Sequence, residues 1–271
     1  MSKDPSDLSG RIAVVTGASG VLGSGMARTL AGAGATVVAV ARNLSRLEDV
    51  VASVSDGGRV IALAADVTDR NSLRNLREEV RERVGVPDIL VNGAGGNVPG
   101  ATLPDGGDVF ELAATSVREA MDLNYFGALL TTQSFGEDLM SGGGASIVNV
   151  SSMTAHRAVS RVIGYGGAKA ALENLTRWLA VELAKRSHGS VRVNAIAPGF
   201  YVGNQNRSLL LDHDGRPTVR GQRILDHTPA GRFGVADDLA GTLLWLCGDG
   251  SRFVTGVVIP VDGGFSAYSG V

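Results

Sequence analysis

The sequence predicts an α/β fold, a single doubly wound parallel sheet with helices on both faces, and three observations carry that prediction. Short apolar runs alternate with segments of helical period along all 271 residues. The runs are continuously apolar rather than alternating with polar residues, as expected of strands buried on both faces. No Pro/Ser-rich linker, repeat or composition break divides the chain, so one domain covers residues 1–271, with a flexible start at 1–10.

The elements follow in order. RIAVVT (11–16) is the first strand, followed by a glycine-rich turn and a helix in SGMARTLAGAGA. TVVAVA (36–41) is the second strand, and LSRLEDVVASV the next helix. VIALAAD (60–66), a helix from about Asp69 to Val84, and DILVNGAGG (88–96) continue the alternation. A helical region spans Ser116–Met140, then ASIVNV (145–150) forms a strand, and a helix carries Tyr165 and Lys169. VRVNAIAP (191–198) is the next strand, and the chain closes with helix DDLAGTLLWLC and strand GVVIPV. Strands and helices alternating at this spacing imply right-handed crossovers. Residues 199–233 are polar and without clear period, which inside a compact domain predicts a substrate-binding loop or lid.

Bulk chemistry excludes several classes. The net charge is −2 with both signs interspersed, so no basic face recruits nucleic acid or an anionic membrane. Cys247 is the only cysteine, and the four histidines show no ligand spacing, so no disulfide and no metal site are expected. The polar start MSKDPSDLSG does not read as a signal peptide, and no apolar run approaches the ~18 residues of a membrane span. A cytoplasmic protein is expected.

The chemistry concentrates in Ser151–Ala170. Tyr165 and Lys169 lie four residues apart at the start of a helix, on one face. A phenol holds its proton to a pKa of ~10, and a nearby ammonium favours the phenolate. Ser152, at the end of the preceding strand-like run, offers a second hydroxyl to the same substrate oxygen. A chance Tyr-x-x-x-Lys is common, but only three residues here are lysine among 25 basic ones, so Lys169 is not generic surface charge.

The glycine-rich turn supplies the second half of the reading. Gly17, Ser19, Gly20, Val21, Leu22 and Gly23 lie between first strand and first helix, where backbone N–H groups cradle a dinucleotide pyrophosphate. NAD binders place a carboxylate at the end of the second strand; here Ala41-Arg42-Asn43 stands instead. Arg42 would attract a 2′-phosphate, so NADP(H) is favoured and NAD(H) remains possible. Asp66 and Val67 are placed to meet the adenine, although Asp66 would equally well cap the following helix. Asn92, Gly93 and Ala94 would let backbone pass close to the ribose.

These residues resemble the short-chain dehydrogenase/reductase family over nearly the full length. The matching blocks are TGASGVLG (16–23), DV (66–67), NGAGG (92–96), Asn124 in MDLNYFG, Ser152, Tyr165-x-x-x-Lys169, Pro198-Gly199 and PVDGG (260–264). The resemblance implies a Rossmann-type sheet of seven strands, a homotetramer, and a Ser152–Tyr165–Lys169–Asn124 tetrad in which Asn124 binds a relay water. It also implies cofactor contacts from Pro198 and Gly199. Without the resemblance, Asn124 reads as a helix-kink or cap residue. Two positions depart from the family pattern: Val21 replaces a glycine, and Gly203 stands where a threonine often follows the Pro-Gly pair.

Within the family, the blocks NGAGGNVP (92–99), SSM (151–153), NAIAPGF (194–200), NQNR (204–207), HTPAGRFG (227–234) and the C-terminal stretch 253–271 resemble the D-mannonate oxidoreductase (fructuronate reductase) branch, with Val98 where that branch has histidine. This implies a small-molecule sugar-acid substrate, a polyol bearing a carboxylate, whose site needs an arginine and several amides or hydroxyls. Asn97, Ser152, Met153, Thr154, Arg161, Gln205 and Arg207 are candidates, Arg207 preferred over Arg157 and Arg161 for the carboxylate. Rival readings are a gluconate 5-dehydrogenase, a 3-ketoacyl reductase, or a non-catalytic dinucleotide sensor on the same fold.

Overall fold

The computed structural model describes residues 4–52, 58–203 and 206–270. Seven strands form one all-parallel sheet: β1 (Ile12–Thr16), β2 (Thr36–Ala41), β3 (Arg59–Ala64), β4 (Ile89–Asn92), β5 (Ala145–Val150), β6 (Val191–Pro198) and β7 (Val258–Val261). Their spatial order is β3-β2-β1-β4-β5-β6-β7. The order reverses between β1 and β4, which pair in register as Thr16 with Asn92. Ligands of open α/β sheets bind outside the carboxyl ends of strands at such a switch point.

Alternating side chains divide the core into two layers. Ala13 and Val15 of β1, with Val37 and Ala39 of β2, face one apolar cluster. Val14, Val38 and Val40 face the other. The first layer is closed by α1 (Val21–Gly32) and later by the helix at Ala240–Cys247, through Met26, Leu30, Leu243 and Leu246. After the short α2 (Glu48–Ala52), the second layer is closed by α3 (Arg70–Arg83) and by the helices at Gly127–Ser141 and Ile163–Arg186, through Leu73, Leu76, Phe135, Leu172 and Leu179. Asp69 caps α3, its side chain accepting from the Asn71 N–H.

The region expected to be helical between Ser116 and Met140 is interrupted. Helix α4 (Ala114–Met121) passes into a π-turn, Asp122–Phe126, before α5 (Gly127–Ser141) resumes. The following helix, α6 (Ile163–Arg186), begins two residues before Tyr165. The segment after β6 is more ordered than its polarity implies: it contains α7 (Arg207–Leu210) and α8 (Val219–Asp226), the latter capped by the Thr218 hydroxyl. Helix α9 (Ala240–Cys247) precedes β7.

Part of the stretch expected to be flexible, residues 1–10, packs on the domain, and residues 1–3 lie outside the described residues. Leu8 is buried in the first layer and its N–H donates to the Ala33 carbonyl. No helix among the described residues is long and apolar enough to cross a membrane.

Candidate active site

The turn after β1 requires its glycines unequally. Gly17 takes φ +70°, and a Cβ there would lie 2.5 Å from the Gly93 carbonyl oxygen in the turn after β4. A Cβ on Gly23 would lie 2.2 Å from the Gly17 oxygen, whereas one on Gly20 meets nothing closer than 3.4 Å. The Thr16 hydroxyl accepts from the N–H groups of Gly93 and Ala94 at 3.2 Å, locking the two turns together. The result is a backbone cradle at the N-terminus of α1, a geometry that suits a pyrophosphate. Ser19 is half-buried in this cradle and Val21 exposed at its rim, while the Leu22 side chain turns into the core.

Arg42 is exposed at the end of β2, close enough to Asp66 for its charge to act on that carboxyl. Burial alone would raise the Asp66 carboxyl, but hydrogen bonds from the Thr68 N–H and hydroxyl, with the Arg42 charge, hold it below its ordinary value. Two residues proposed for the cofactor spend their side chains elsewhere. Val67 is buried in the second layer. Asn92 projects into the sheet interior, where its amide donates to Asn149 at 2.8 Å and Thr132 at 3.1 Å, so only its backbone can face a ligand. Asn149 in turn donates to Thr176 of α6.

Ser152, Tyr165, Lys169 and Asn124 come together beside these turns. Ser152 caps a 3₁₀ turn, Met153–Ala155, that follows β5; its hydroxyl accepts from the Thr154 N–H at 3.2 Å and lies near enough to the Tyr165 phenol to favour the phenolate. Lys169 is buried and donates to the Val150 carbonyl at 2.7 Å, its Nζ lying 5.5 Å from the Tyr165 ring centre. Burial pushes the Lys169 ammonium down to about 8. Burial also raises the Tyr165 phenol above its ordinary value, outweighing the Ser152 hydrogen bond that favours the phenolate. The expected acidification of the phenol by the amine is therefore not a property of these protein groups alone.

Asn124 occupies the centre of the π-turn. Its amide donates to the Gly96 and Ala120 carbonyls at 2.9 Å each, and its carbonyl accepts from the Gly96 N–H at 2.9 Å. Both amide hydrogens are spent, leaving the side chain acceptor capacity only. A Cβ on Gly95 would stand 2.6 Å from the Asn124 carbonyl oxygen and 3.1 Å from Lys169 Nζ, so both side chains close on the space that this glycine leaves open.

The residues expected to meet substrate divide sharply. Met153 is fully buried in the protein interior and cannot be a substrate contact through its side chain. Arg161, in the left-handed region at φ +79°, is committed to the Leu103 carbonyl and to Asp105. Arg157 is committed to the Ser266 carbonyl. Arg207 is exposed at the start of α7, and no protein partner for its guanidinium is found among the described residues. Asn97 is exposed after β4, the Thr154 hydroxyl is buried without a partner, and Gln205 lies outside the described residues. Pro198 ends β6, and Gly199 lies so close to Asp262 that a Cβ would come within 2.7 Å of its Cα.

Three features escaped the sequence reading. Arg220 of α8 donates to the Ser160 hydroxyl at 2.9 Å, tying the post-β6 segment to the stretch before Tyr165. Glu173, on the stripe of α6 that carries Tyr165 and Lys169, is a buried carboxylate. The departures at Val21 and Gly203 are neighbours, Val21 Cγ2 lying 3.7 Å from where a Gly203 Cβ would stand. Spacing on a helix identified the first-turn pair, but none of these long-range contacts has a local signal. Asp212, His213 and Asp214 do gather within 4.8 Å at an exposed turn, where Asp212 accepts from the backbone N–H groups of Asp214 and Arg216. A polar cavity of about 190 Å³ lies at the opposite end of the sheet, lined by Arg11, Asp88 and Arg192 among others, remote from the glycine turns.

Comparison with known proteins agrees with this geometry. The family model described as enoyl-(acyl carrier protein) reductase matches residues 17–266. A Haemophilus influenza structure provisionally designated a D-mannonate oxidoreductase, with bound NAD, is 42% identical with a TM-score of 0.90, covering 98% of each chain. The 2-dehydro-3-deoxy-D-gluconate 5-dehydrogenase of Dickeya dadantii is 35% identical over 96% of this chain and 97% of its own. A Beutenbergia cavernae structure provisionally designated an NAD(P)-dependent gluconate 5-dehydrogenase, with low-occupancy NADP, is 34% identical with a TM-score of 0.85, covering 97% of this chain and all of its own. The glycine cradle at the switch point, the match across the whole sheet and these relatives together place the chain in the short-chain dehydrogenase/reductase family of nicotinamide-dependent oxidoreductases.

Proposed function

We propose that this enzyme interconverts a keto-uronate and its sugar acid, of the D-fructuronate/D-mannonate type, with Tyr165 as the proton donor and acceptor. The observation that carries the reading is the convergence of the Ser152 hydroxyl and the Tyr165 phenol beside buried Lys169, at the switch-point ends of the strands. The cofactor lies along Gly17, Ser19, Gly20 and Val21, past the backbone of Asn92, Gly93 and Ala94, with Arg42 and Asp66 at its adenosine end. When bound, the reduced nicotinamide supplies a hydride to the carbonyl carbon.

The protein groups handle the oxygen. Ser152 donates a hydrogen bond to it, and Tyr165 delivers the proton that turns alkoxide into alcohol. Lys169 stands behind the tyrosine, and the acceptor capacity of Asn124 suits a relay water that returns the proton. Arg157 and Arg161 being engaged elsewhere, Arg207 is assigned the substrate carboxylate, with Asn97 and Gln205 among the polyol contacts. The sugar-acid names of the relatives support this class, and it fits a cytoplasmic enzyme.

NADP(H) is favoured by Arg42 and the lack of a carboxylate at the end of β2, with NAD(H) possible, a reading supported by the NAD in the Haemophilus relative. A homotetramer is part of the same reading, built through α5 and α6, with Phe126 exposed just before α5 and Trp178 and Val181 exposed on α6. Absorbance loss of NADPH and NADH with D-fructuronate, D-tagaturonate, 5-keto-D-gluconate and a 3-ketoacyl thioester tests the substrate assignment. Turnover of D-fructuronate supports it, and turnover of only the gluconate-type or acyl substrate replaces it.

A further inference from the structure

We propose that Glu173 is a positioning residue, whose buried carboxylate sets the Ser152 hydroxyl against the Tyr165 phenol. The proposal rests on the reading of Ser152 and Tyr165 as the reacting pair. Tyr165, Lys169, Glu173 and Arg177 recur every fourth residue of α6 and so form one stripe. Glu173 is 3% exposed, and ionised carboxylates at such depth cost several kcal/mol unless donors surround them.

Its donors come from both sides of Ser152. Oε1 accepts from the Ser151 hydroxyl at 2.8 Å, and Oε2 meets His156 Nε2 at 2.7 Å, with the Arg177 guanidinium at 3.5 Å. Ser151 immediately precedes Ser152, and His156 ends the 3₁₀ turn that Ser152 caps. One carboxylate on the tyrosine's own helix thus pins both ends of the loop that carries the serine. Among the described residues, the side-chain hydrogen bond from Lys169 of this stripe reaches only the Val150 carbonyl, the residue before Ser151, and not the 3₁₀ turn. Misplacement of a reacting group by ~1 Å can cost ~10²-fold in rate, so a clamp at this point acts on turnover.

The test compares Glu173→Leu, Glu173→Gln and Ser151→Ala with the full-length wild type, alongside Tyr165→Phe. Turnover is measured with whichever keto acid of the panel above is reduced fastest, cofactor affinity by nucleotide fluorescence, and folding by thermal melting. Glu173→Leu is expected to lower kcat by ~10–100-fold with cofactor affinity within about threefold of wild type. Glu173→Gln restores kcat to within about threefold, since its amide still accepts from Ser151 and donates to His156 in the other tautomer. A folded Glu173→Leu with kcat within twofold of wild type overturns the clamp, as does a Gln variant no better than Leu. Should the Leu variant not fold, Ser151→Ala decides: a kcat loss of about threefold or more supports the clamp, and an unchanged kcat overturns it. Wild-type turnover in Tyr165→Phe overturns the underlying reading, whereas an inactive Tyr165→Phe beside an unaffected Glu173→Leu removes only the clamp.

Discussion

The Lys169 ammonium sits 5.5 Å from the centre of the Tyr165 ring and gives its hydrogen bond to the Val150 carbonyl rather than to the phenol. The two groups share a low-dielectric site that penalises both charged forms, so the phenol is pushed up and the ammonium down, to about 8. Keto reduction consumes the phenol proton and draws on the ammonium to replace it. The rate of reduction, as kcat/KM, is therefore expected to be level between about pH 6 and 7 and to fall as pH rises through about 8, where Lys169 deprotonates. A pH–rate profile checks this. Oxidation of the alcohol needs the opposite protonation and should rise over the same interval.

Asp88 offers a stability test independent of catalysis. Burial pushes its carboxyl up to about 6, despite the Arg11 charge and the Ile12 N–H, and its Oδ1 has no hydrogen-bond partner. A carboxyl whose folded pKa exceeds its unfolded value carries no penalty below both and the full penalty above the folded one. Asp88→Asn should accordingly raise stability at pH 8 by up to about 3 kcal/mol and change it little at pH 4. Denaturant unfolding at the two pH values measures the difference.

The glycine turn predicts an asymmetric pair. Gly20→Ala places its methyl at ordinary contact distance, so the variant should fold and bind cofactor within about threefold of wild type. Gly23→Ala drives a methyl against the Gly17 carbonyl, backbone that cannot step aside. Overpacking of this kind costs about 1–3 kcal/mol and should be accompanied by weakened nucleotide binding. Thermal melts and fluorescence titration of both variants provide the comparison.

Arg42 governs the choice between the two nucleotides in this account. Replacing it with aspartate removes an attraction for the 2′-phosphate and adds a repulsion, while offering the ribose hydroxyls an acceptor. The ratio of kcat/KM for NADPH over NADH should fall by at least about tenfold in Arg42→Asp, chiefly through KM for NADPH. An unchanged ratio would remove Arg42 from the nucleotide site.

The sheet was legible because each strand is a short run buried on both faces, and β2, β5 and β6 match their apolar runs residue for residue. The glycine turn was legible because backbone approach leaves a compositional mark. Side-chain direction was not. Asn92 at a strand end can point to a ligand or into the sheet, and only its pairing with Asn149 across β4 and β5 decides. Arg161 looked free because its partners, Leu103 and Asp105, lie more than 50 residues away in sequence. Glu173 leaves no local mark in the sequence, since its burial depends on a loop from another element. The two helices of the post-β6 segment were missed because each is too short to show a period.

The assignment of Tyr165 as proton donor is tested most directly by Tyr165→Phe, assayed for keto-acid reduction at saturating NADPH. Loss of kcat by at least ~10²-fold, with nucleotide affinity and thermal midpoint kept, is the predicted result. Turnover near the wild-type rate in that variant would contradict it.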